Sequence, residues 1–367
     1  MTKRRKVFFL LFSMNMGGVE KSFLNMIKEY QFKNTEIHLG LLRKRGEFMD
    51  KLPDNIIIHE CCVGLWSEVN MSYPAIIKKN LRDKKPGKFL KNTLGYLKYK
   101  LTGDRTDFYK NLLGYKPEID IEFDEAYAYA GPATVIDYYI VHKLNAQRKY
   151  GYIHYDVSKF FIEPETIKKL YKNYNSIYIV SKEAKNVFNK KFPEFKDKTE
   201  LRINTVNVNE IRNQSEEGES YSDKFDGKRI LTVGRISIEK GQDLAIEALN
   251  ILVEKGYNLR WYFIGDGPFL VECLNKVKAF GLDNYAIFLG KKENPFPYMK
   301  DCDVYVQPSR HEGFCLTVAE AKCFNKPIVA TDFSGALEQL KETDIFAITG
   351  ISPQELANGI IKVLEKL

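Results

Sequence analysis

The sequence predicts an α/β protein of two domains in series, each a mostly parallel sheet with helices on its faces. Three observations carry the prediction. The chain has 367 residues, long for a single core and ordinary for two. Short apolar runs alternate with helix-period segments in two successive rounds, the rhythm of parallel sheets. Between the rounds lies Glu210–Gly227, E-I-R-N-Q-S-E-E-G-E-S-Y-S-D-K-F-D-G, polar and almost without apolar periodicity, as a surface linker or long loop would be. The boundary is therefore placed near residue 208, giving domains 1–208 and 209–367.

In the first round the expected strands are Val7–Ser13, Glu36–Leu42, Ile56–His59, Asp120–Phe123, Lys149–His154 and Ser176–Ser181. The opening M-T-K-R-R-K-V-F-F-L-L-F-S-M imitates a secretory leader. Its apolar core is only Val7–Phe12, however, and Gly17 and Gly18 follow where a small-residue cleavage site is wanted. It reads as the first buried strand, ahead of a helix Val19–Glu29. In the second round the strands are Arg229–Gly234, Leu259–Gly265, Ala286–Gly290, Val304–Gln307, Pro327–Thr331 and Ile345–Ile348. The helices between them include Gln242–Lys255, Phe269–Phe280 and Cys315–Cys323, with Pro353–Leu367 last. Each half reads as a Rossmann-like domain.

A hydrophobic content of 44% excludes a disordered chain, and no apolar run approaches the ~18–20 residues needed to cross a bilayer. Six cysteines, at 61, 62, 273, 302, 315 and 323, form no repeated C-x-x-C and no zinc-site spacing with histidine. A reducing cytoplasm suits them.

The basic character is local. Between Lys78 and Lys116 stand twelve Lys or Arg against three Asp, a surplus that exceeds the +8 of the entire chain. Phe89, Leu90, Leu94, Leu97 and Leu101 recur there at helical spacing, with Tyr96, Tyr99, Phe108 and Tyr109 interleaved. A basic amphipathic helix with aromatics suits an anionic membrane surface. Non-specific phosphate attraction to nucleic acid would look the same, but no nucleic-acid-binding motif accompanies it. A solvated face over a core-packed helix is the plain alternative.

Residues 301–335 carry the densest chemistry. Val304–Gln307 reads as a buried strand, Pro308–Phe314 as the loop leaving its carboxyl end and Cys315–Cys323 as a helix, with Glu312 and Glu320 eight positions apart. Open parallel sheets bind ligands at such strand ends, and helix N-termini attract phosphate. The N–H groups around Gly313, Phe314, Cys315, Leu316 and Thr317 are therefore candidates for a diphosphate. One carboxylate can accept sugar hydroxyls and the other a ribose diol, which points to a nucleotide-sugar site. Acidic residues also favour helix N-termini for the dipole alone, so both readings stand.

The E-x7-E pattern of Glu312 and Glu320 resembles that of retaining glycosyltransferases of the GT-B architecture, especially glycosyltransferase family 4. Ile230–Gly241, I-L-T-V-G-R-I-S-I-E-K-G, resembles that family's Arg-and-Lys diphosphate clamp. Phe263–Pro268, F-I-G-D-G-P, resembles the strand and glycine turn that follow, and Met16–Glu20, M-G-G-V-E, resembles the amino-terminal glycine loop. The resemblance implies two Rossmann-like domains facing across a cleft, the first binding the acceptor and the second the nucleotide sugar, with UDP the commonest carrier. It implies a hexosyl- or N-acetylhexosaminyltransferase acting with retention on a growing cell-surface glycan, lipid-linked or not, and the basic segment 78–116 adds peripheral contact with the inner face of the cell membrane to a cytoplasmic protein. A catalytically silent glycan-binding protein and a GT-B sugar-nucleotide epimerase share these features.

Departure of a nucleoside diphosphate builds negative charge on the leaving phosphate, which cationic and N–H donors must meet. Arg235, directly after its strand, and Lys240, at a helix start where the dipole disfavours a cation, are the candidates. Gly18 permits close backbone approach of a ligand. His154, at a strand end, resembles the family's histidine that touches the donor sugar; a structural histidine would look alike. Asp156 could cap the following turn or touch an acceptor. Asp301-Cys302-Asp303 spells D-x-D, but turn formation explains it better, and no metal or other cofactor is expected. Gly234, Gly241, Gly265 and Gly267 read as turn residues. Lys291 and Lys292 lie near the expected base pocket or are merely solvated.

Overall fold

The structure is a computed structural model that describes residues 4–29, 34–63, 65–69, 71–114, 118–132, 134–159 and 162–367. Lys116, the last cation of the basic run, lies outside them. The chain divides into two compact units, residues 1–203 and 204–367.

The first unit holds a parallel sheet of β1 (Arg5–Leu11), β2 (Thr35–Leu41), β3 (Ile57–Glu60), β4 (Glu122–Ala128), β5 (Asn145–Ile153), β6 (Ser176–Ile179) and β7 (Thr199–Leu201), in the order β3-β2-β1-β4-β5-β6-β7. The run V-F-F-L-L in β1 is continuously apolar because both faces of the strand are covered. Phe8 and Leu10 enter one core with Phe123 and Ile136, while Val7, Phe9 and Leu11 enter another with Phe23 and Ile27 of the helix Gly18–Glu29.

Three strands depart from expectation, and one of them, β5, begins at Asn145, four residues ahead of the Lys149–His154 window. β4 runs on to Ala128, past the Asp120–Phe123 window, because its charged residues are paired with those of neighbouring strands. Asp124 accepts the Lys6 N–H at 2.7 Å, and Glu125 pairs with Arg5 and Arg148 at 3.3 and 2.7 Å. β7 is an unforeseen seventh strand, three residues long at the sheet edge.

The basic segment is three helices, Tyr73–Arg82, Pro86–Thr102 and Thr106–Leu113. Proline opens the second, where its missing N–H costs nothing. Gly103, at φ +71°, closes it in a left-handed conformation that suits glycine.

The second unit holds β8 (Lys228–Val233), β9 (Leu259–Ile264), β10 (Ala286–Phe288), β11 (Val304–Gln307), β12 (Ile328–Thr331) and β13 (Phe346–Thr349), parallel in the order β10-β9-β8-β11-β12-β13. The helices Gln242–Glu254, Leu270–Ala279 and Pro353–Leu364 pack on one face and Leu316–Lys322 on the other. Glu210–Gly227 is no free linker. The helix Val208–Gln214 is capped by Asn207, and its Arg212 donates to Cys323 O at 3.1 Å. Tyr221 lies 4.5 Å from the Tyr262 ring and 5.2 Å from that of Tyr298, and Asp223 accepts from Arg229, Arg260 and Tyr262. Apart from Arg229, those partners are distant in sequence, so the segment shows no period of its own. No helix among the described residues is long and apolar enough to cross a membrane.

Candidate functional site

The carboxyl ends of β9, β8 and β11, adjacent in the second sheet, carry three loops that lock together. The loop after β8 stacks on the one after β9: Ile236 donates to Asp266 O at 3.0 Å, and Phe269 to Ile236 O at 3.2 Å. A Cβ at Gly265 would lie 1.9 Å from Gly234 O, and one at Gly267 would lie 2.1 Å from Ile236 O. Gly241, at φ +71°, approaches the loop after β11 so closely that a Cβ would sit 2.0 Å from Pro308 O. Arg310 completes the join. Its guanidinium meets Asp243 through two hydrogen bonds of 2.8 Å and Ile238 O at 2.6 Å, the bidentate geometry that makes arginine pairs strong.

On this platform Lys240 donates to Glu312 at 2.6 Å, joining residues 72 apart in sequence. Glu312 is also held from behind. Ser309 Oγ donates to the same carboxylate oxygen at 2.7 Å and accepts from Gln307 Nε2 at 2.8 Å. Gln307 Oε1 in turn accepts from Tyr305 and Thr317 at 2.8 and 3.0 Å. Burial works against the charge on Lys240, but the Glu312 carboxylate outweighs it and holds the lysine pKa above its ordinary value. Arg235 is exposed at the end of β8, and among the described residues its guanidinium has no ion pair. The two cations thus differ: one is locked to a carboxylate, the other projects into solvent.

Glu320 is completely buried in the helix Leu316–Lys322. A dipole-favoured surface carboxylate would not need that position, because burying a charge is costly unless it is compensated. Gly313, Cys315 and Leu316 are buried, and Phe314 and Thr317 half-buried. The Cys315 N–H is spoken for: with its side-chain amide turned to satisfy both ends, Gln339 accepts from that N–H at 3.2 Å and donates to Cys315 O at 3.1 Å. Burial pushes the Cys315 thiol up to about 12, so it is no nucleophile at neutral pH.

Asp301 and Asp303 tie distant segments together rather than serve the turn expected of them. Asp301 accepts from Ser220 at 2.5 Å, and Asp303 from the Arg229 N–H at 2.8 Å and Lys228 at 3.3 Å. Lys292 pairs with Glu219 at 3.4 Å, while Lys291 is exposed.

In the first unit, Gly18 follows β1, Tyr129 follows β4 and His154 follows β5, again at adjacent carboxyl ends. A Cβ at Gly18 would meet nothing within 4 Å, so any demand for glycine there comes from outside the unit's own packing. Ser22 of the same helix bonds Tyr129 at 2.9 Å. The His154 ring lies 4.9 Å from that of Tyr129 and stacks on Tyr152 at 5.4 Å. Asp156 caps its turn, accepting from the Ser158 N–H and hydroxyl at 2.8 and 2.7 Å.

Burial pushes the His154 imidazole down to about 4, against a raising backbone hydrogen bond with Tyr129. The folded protein keeps it neutral where the unfolded chain, at about 6.5, takes up a proton. Stability on this account is intact above pH ~6.5 and falls as pH drops toward 4, by up to ~3 kcal/mol. Denaturant titrations at neutral and acid pH should show that loss diminished in His154→Gln; an equal acid loss in both proteins would deny His154 a part in it.

Comparison with known proteins joins these observations. Residues 213–366, nearly all of the second unit, match the family described as Glycosyl transferases group 1. The second unit is similar to that family along its length. An uncharacterized glycosyltransferase of Methanocaldococcus jannaschii is 29% identical over 168 residues, 45% of this chain and 41% of the relative. The N-acetylgalactosamine-N,N'-diacetylbacillosaminyl-diphospho-undecaprenol 4-alpha-N-acetylgalactosaminyltransferase of Campylobacter jejuni is 28% identical over 151 residues, 41% of this chain and 40% of the relative. The alignments thus span about two fifths of these relatives' lengths. Among solved structures, HepE of Anabaena in complex with UDP and glucose superposes with a TM-score of 0.68, covering 98% of this chain and 90% of that one at 18% identity. TarM superposes at 0.65, covering 100% and 93% at 13% identity. Identities this low show the fold, and the fold is that of the GT-B glycosyltransferases.

Within the second unit, sequence reasoning overlooked Ser309, Arg310, Gln307 and Gln339. Gln307 carried a signal, a polar residue ending an otherwise apolar buried strand. Arg310 and Gln339 carried none, since their partners Asp243 and Cys315 are remote in sequence.

Proposed function

We propose that this protein is a retaining glycosyltransferase that moves a sugar from a nucleoside-diphosphate donor, preferably UDP-linked, to a growing glycan. The observation that carries the reading is the Lys240–Glu312 pair, set with Arg235 at the strand ends of a unit similar to the group 1 family. A leaving diphosphate carries the charge that Arg235 and Lys240 are placed to meet. As it takes Lys240, the Glu312 carboxylate is freed to accept hydroxyls of the donor sugar, while Ser309 keeps it in position. Glu320 receives the ribose, and His154, which burial keeps neutral, is a candidate of the first unit. No metal enters this reading, because Asp301 and Asp303 are engaged elsewhere.

The complexes of HepE with UDP and glucose and with UDP-glucose favour UDP. The diphospho-undecaprenol in the name of the Campylobacter relative favours a lipid-linked acceptor, and the cations of 78–116 favour work at the anionic inner face of a membrane. Incubation with UDP-, GDP- and ADP-sugars, with and without chelator, and mass spectrometry of nucleotide and glycan products tests this. Chelator-insensitive release of UDP with sugar transferred to an added lipid-linked acceptor is expected. No turnover of any donor, or an absolute need for a divalent cation, would refute the corresponding part.

A further inference from the structure

The helix Pro86–Thr102 turns its apolar side away from the protein. Leu90, Leu94, Leu97 and Leu101 are 59%, 58%, 55% and 87% exposed. At 3.6 residues per turn they fall within about 60° of one another and roughly opposite the side that packs. That packing side is Asn92, Gly95, Tyr96 and Tyr99. Asn92 and Gly95 are buried, the rings of Tyr96 and Tyr99 lie 5.7 and 5.6 Å from that of Tyr73, and a Cβ at Gly95 would come 3.1 Å from the Tyr73 hydroxyl. A helix that only covered a core would point its leucines inward; this one anchors through tyrosines and a glycine.

Its charges single out an occupant. The helix contains no Asp or Glu. Some of the segment's cations are spent internally: Lys79 on Glu68, Lys98 on Asp107 at 2.7 Å, and Arg105 on Met71 O at 2.6 Å and Glu163 at 3.5 Å. Lys85 pairs with Asp83 at 3.9 Å, and Lys84 and Lys88 are exposed elsewhere on the segment, while Lys91 and Lys100 are exposed on the two flanks of the leucine stripe. Contiguous exposed leucines mark an interaction surface. Leucines rimmed by lysines, whose alkyl stems let the ammonium reach upward, match the interfacial zone of an anionic bilayer.

We propose that this helix is a membrane-insertion face, with Leu90, Leu94, Leu97 and Leu101 entering the acyl boundary of an anionic lipid surface. The inference rests on the membrane attraction proposed above and adds the means of attachment, apolar insertion beyond charge alone. Attachment is therefore partly resistant to salt.

Sedimentation with vesicles of phosphatidylcholine and phosphatidylglycerol, at low and high salt, tests it. Wild type should bind and keep part of its binding at high salt. Leu94→Gln with Leu97→Gln, surface changes that leave the packed side intact, should weaken binding by roughly tenfold or more and make the remainder salt-labile. Leu94→Trp should be quenched by brominated lipid. Unchanged binding of the leucine variant, or an unquenched tryptophan, would overturn insertion while sparing electrostatic attraction. No binding by wild type at low salt would sink both. A dimer in solution abolished by the leucine variant would reassign the stripe to a second copy of the chain. Donor turnover measured without vesicles should be equal in all variants, so failure of the catalytic reading is seen separately.

Discussion

Lys240→Ala should lower sugar transfer by roughly a hundredfold or more, as loss of a preorganised donor to a developing anion does, and should destabilise the second unit as well. The second effect follows from geometry. Glu312 has only 9% of its side chain exposed and Lys240 26%, so removing the lysine strands a mostly buried carboxylate on Ser309 alone. The cost lies between that of surface and fully buried pairs, on the order of 1–3 kcal/mol. Arg235→Ala should reduce turnover comparably with stability unchanged, because that side chain is exposed and unpaired among the described residues. Nucleotide-release assays beside denaturant titrations separate the two. If both variants turn over like wild type, the leaving phosphate is not met here.

Glu320→Gln should weaken binding of the cognate nucleoside diphosphate by ~1.5–3 kcal/mol, about 10- to 150-fold, if a charged hydrogen bond to ribose is lost. Glutamine is the informative replacement. Glu320 is entirely buried, and alanine would leave a hole whose cost confuses affinity with stability. Calorimetric titration reads affinity and thermal unfolding reads stability. A variant of lower stability that binds the nucleotide as before would make Glu320 a structural carboxylate.

Much of the architecture was legible, for reasons tied to particular residues. β1, β8, β9, β11 and β12 lie inside their sheets and read as largely apolar runs, so V-F-F-L-L and V-Y-V-Q announced themselves. β4 is equally central, yet Glu122, Asp124 and Glu125 hid it, because their partners Lys6, Arg5 and Arg148 belong to other strands. β7 offered three residues and no pattern. Glu210–Gly227 passed for a linker because Tyr221 and Asp223 are anchored by residues dozens of positions away. The helical period in 86–102 was readable, but which side of it faced the protein was not: sequence shows a leucine stripe, and only packing against Tyr73 shows that it points outward. At the site, residue types and strand-end positions were visible. The contact of Lys240 with Glu312, and the relay through Ser309 and Gln307, depended on two chain segments meeting.

The interlocked glycines at 241, 265 and 267 bear on how such a unit diversifies. Each places one loop's backbone against another's carbonyl, leaving no room even for a methyl group. An insertion or side chain in any one loop would dislodge its neighbour, so the three change together or not at all. Variation in donor preference is then channelled to positions outside this interlock and away from the phosphate cations, such as Lys291, whose exposed side chain can be exchanged without touching the backbone stack. A library aimed at new donors should randomise those positions and hold the three glycines fixed.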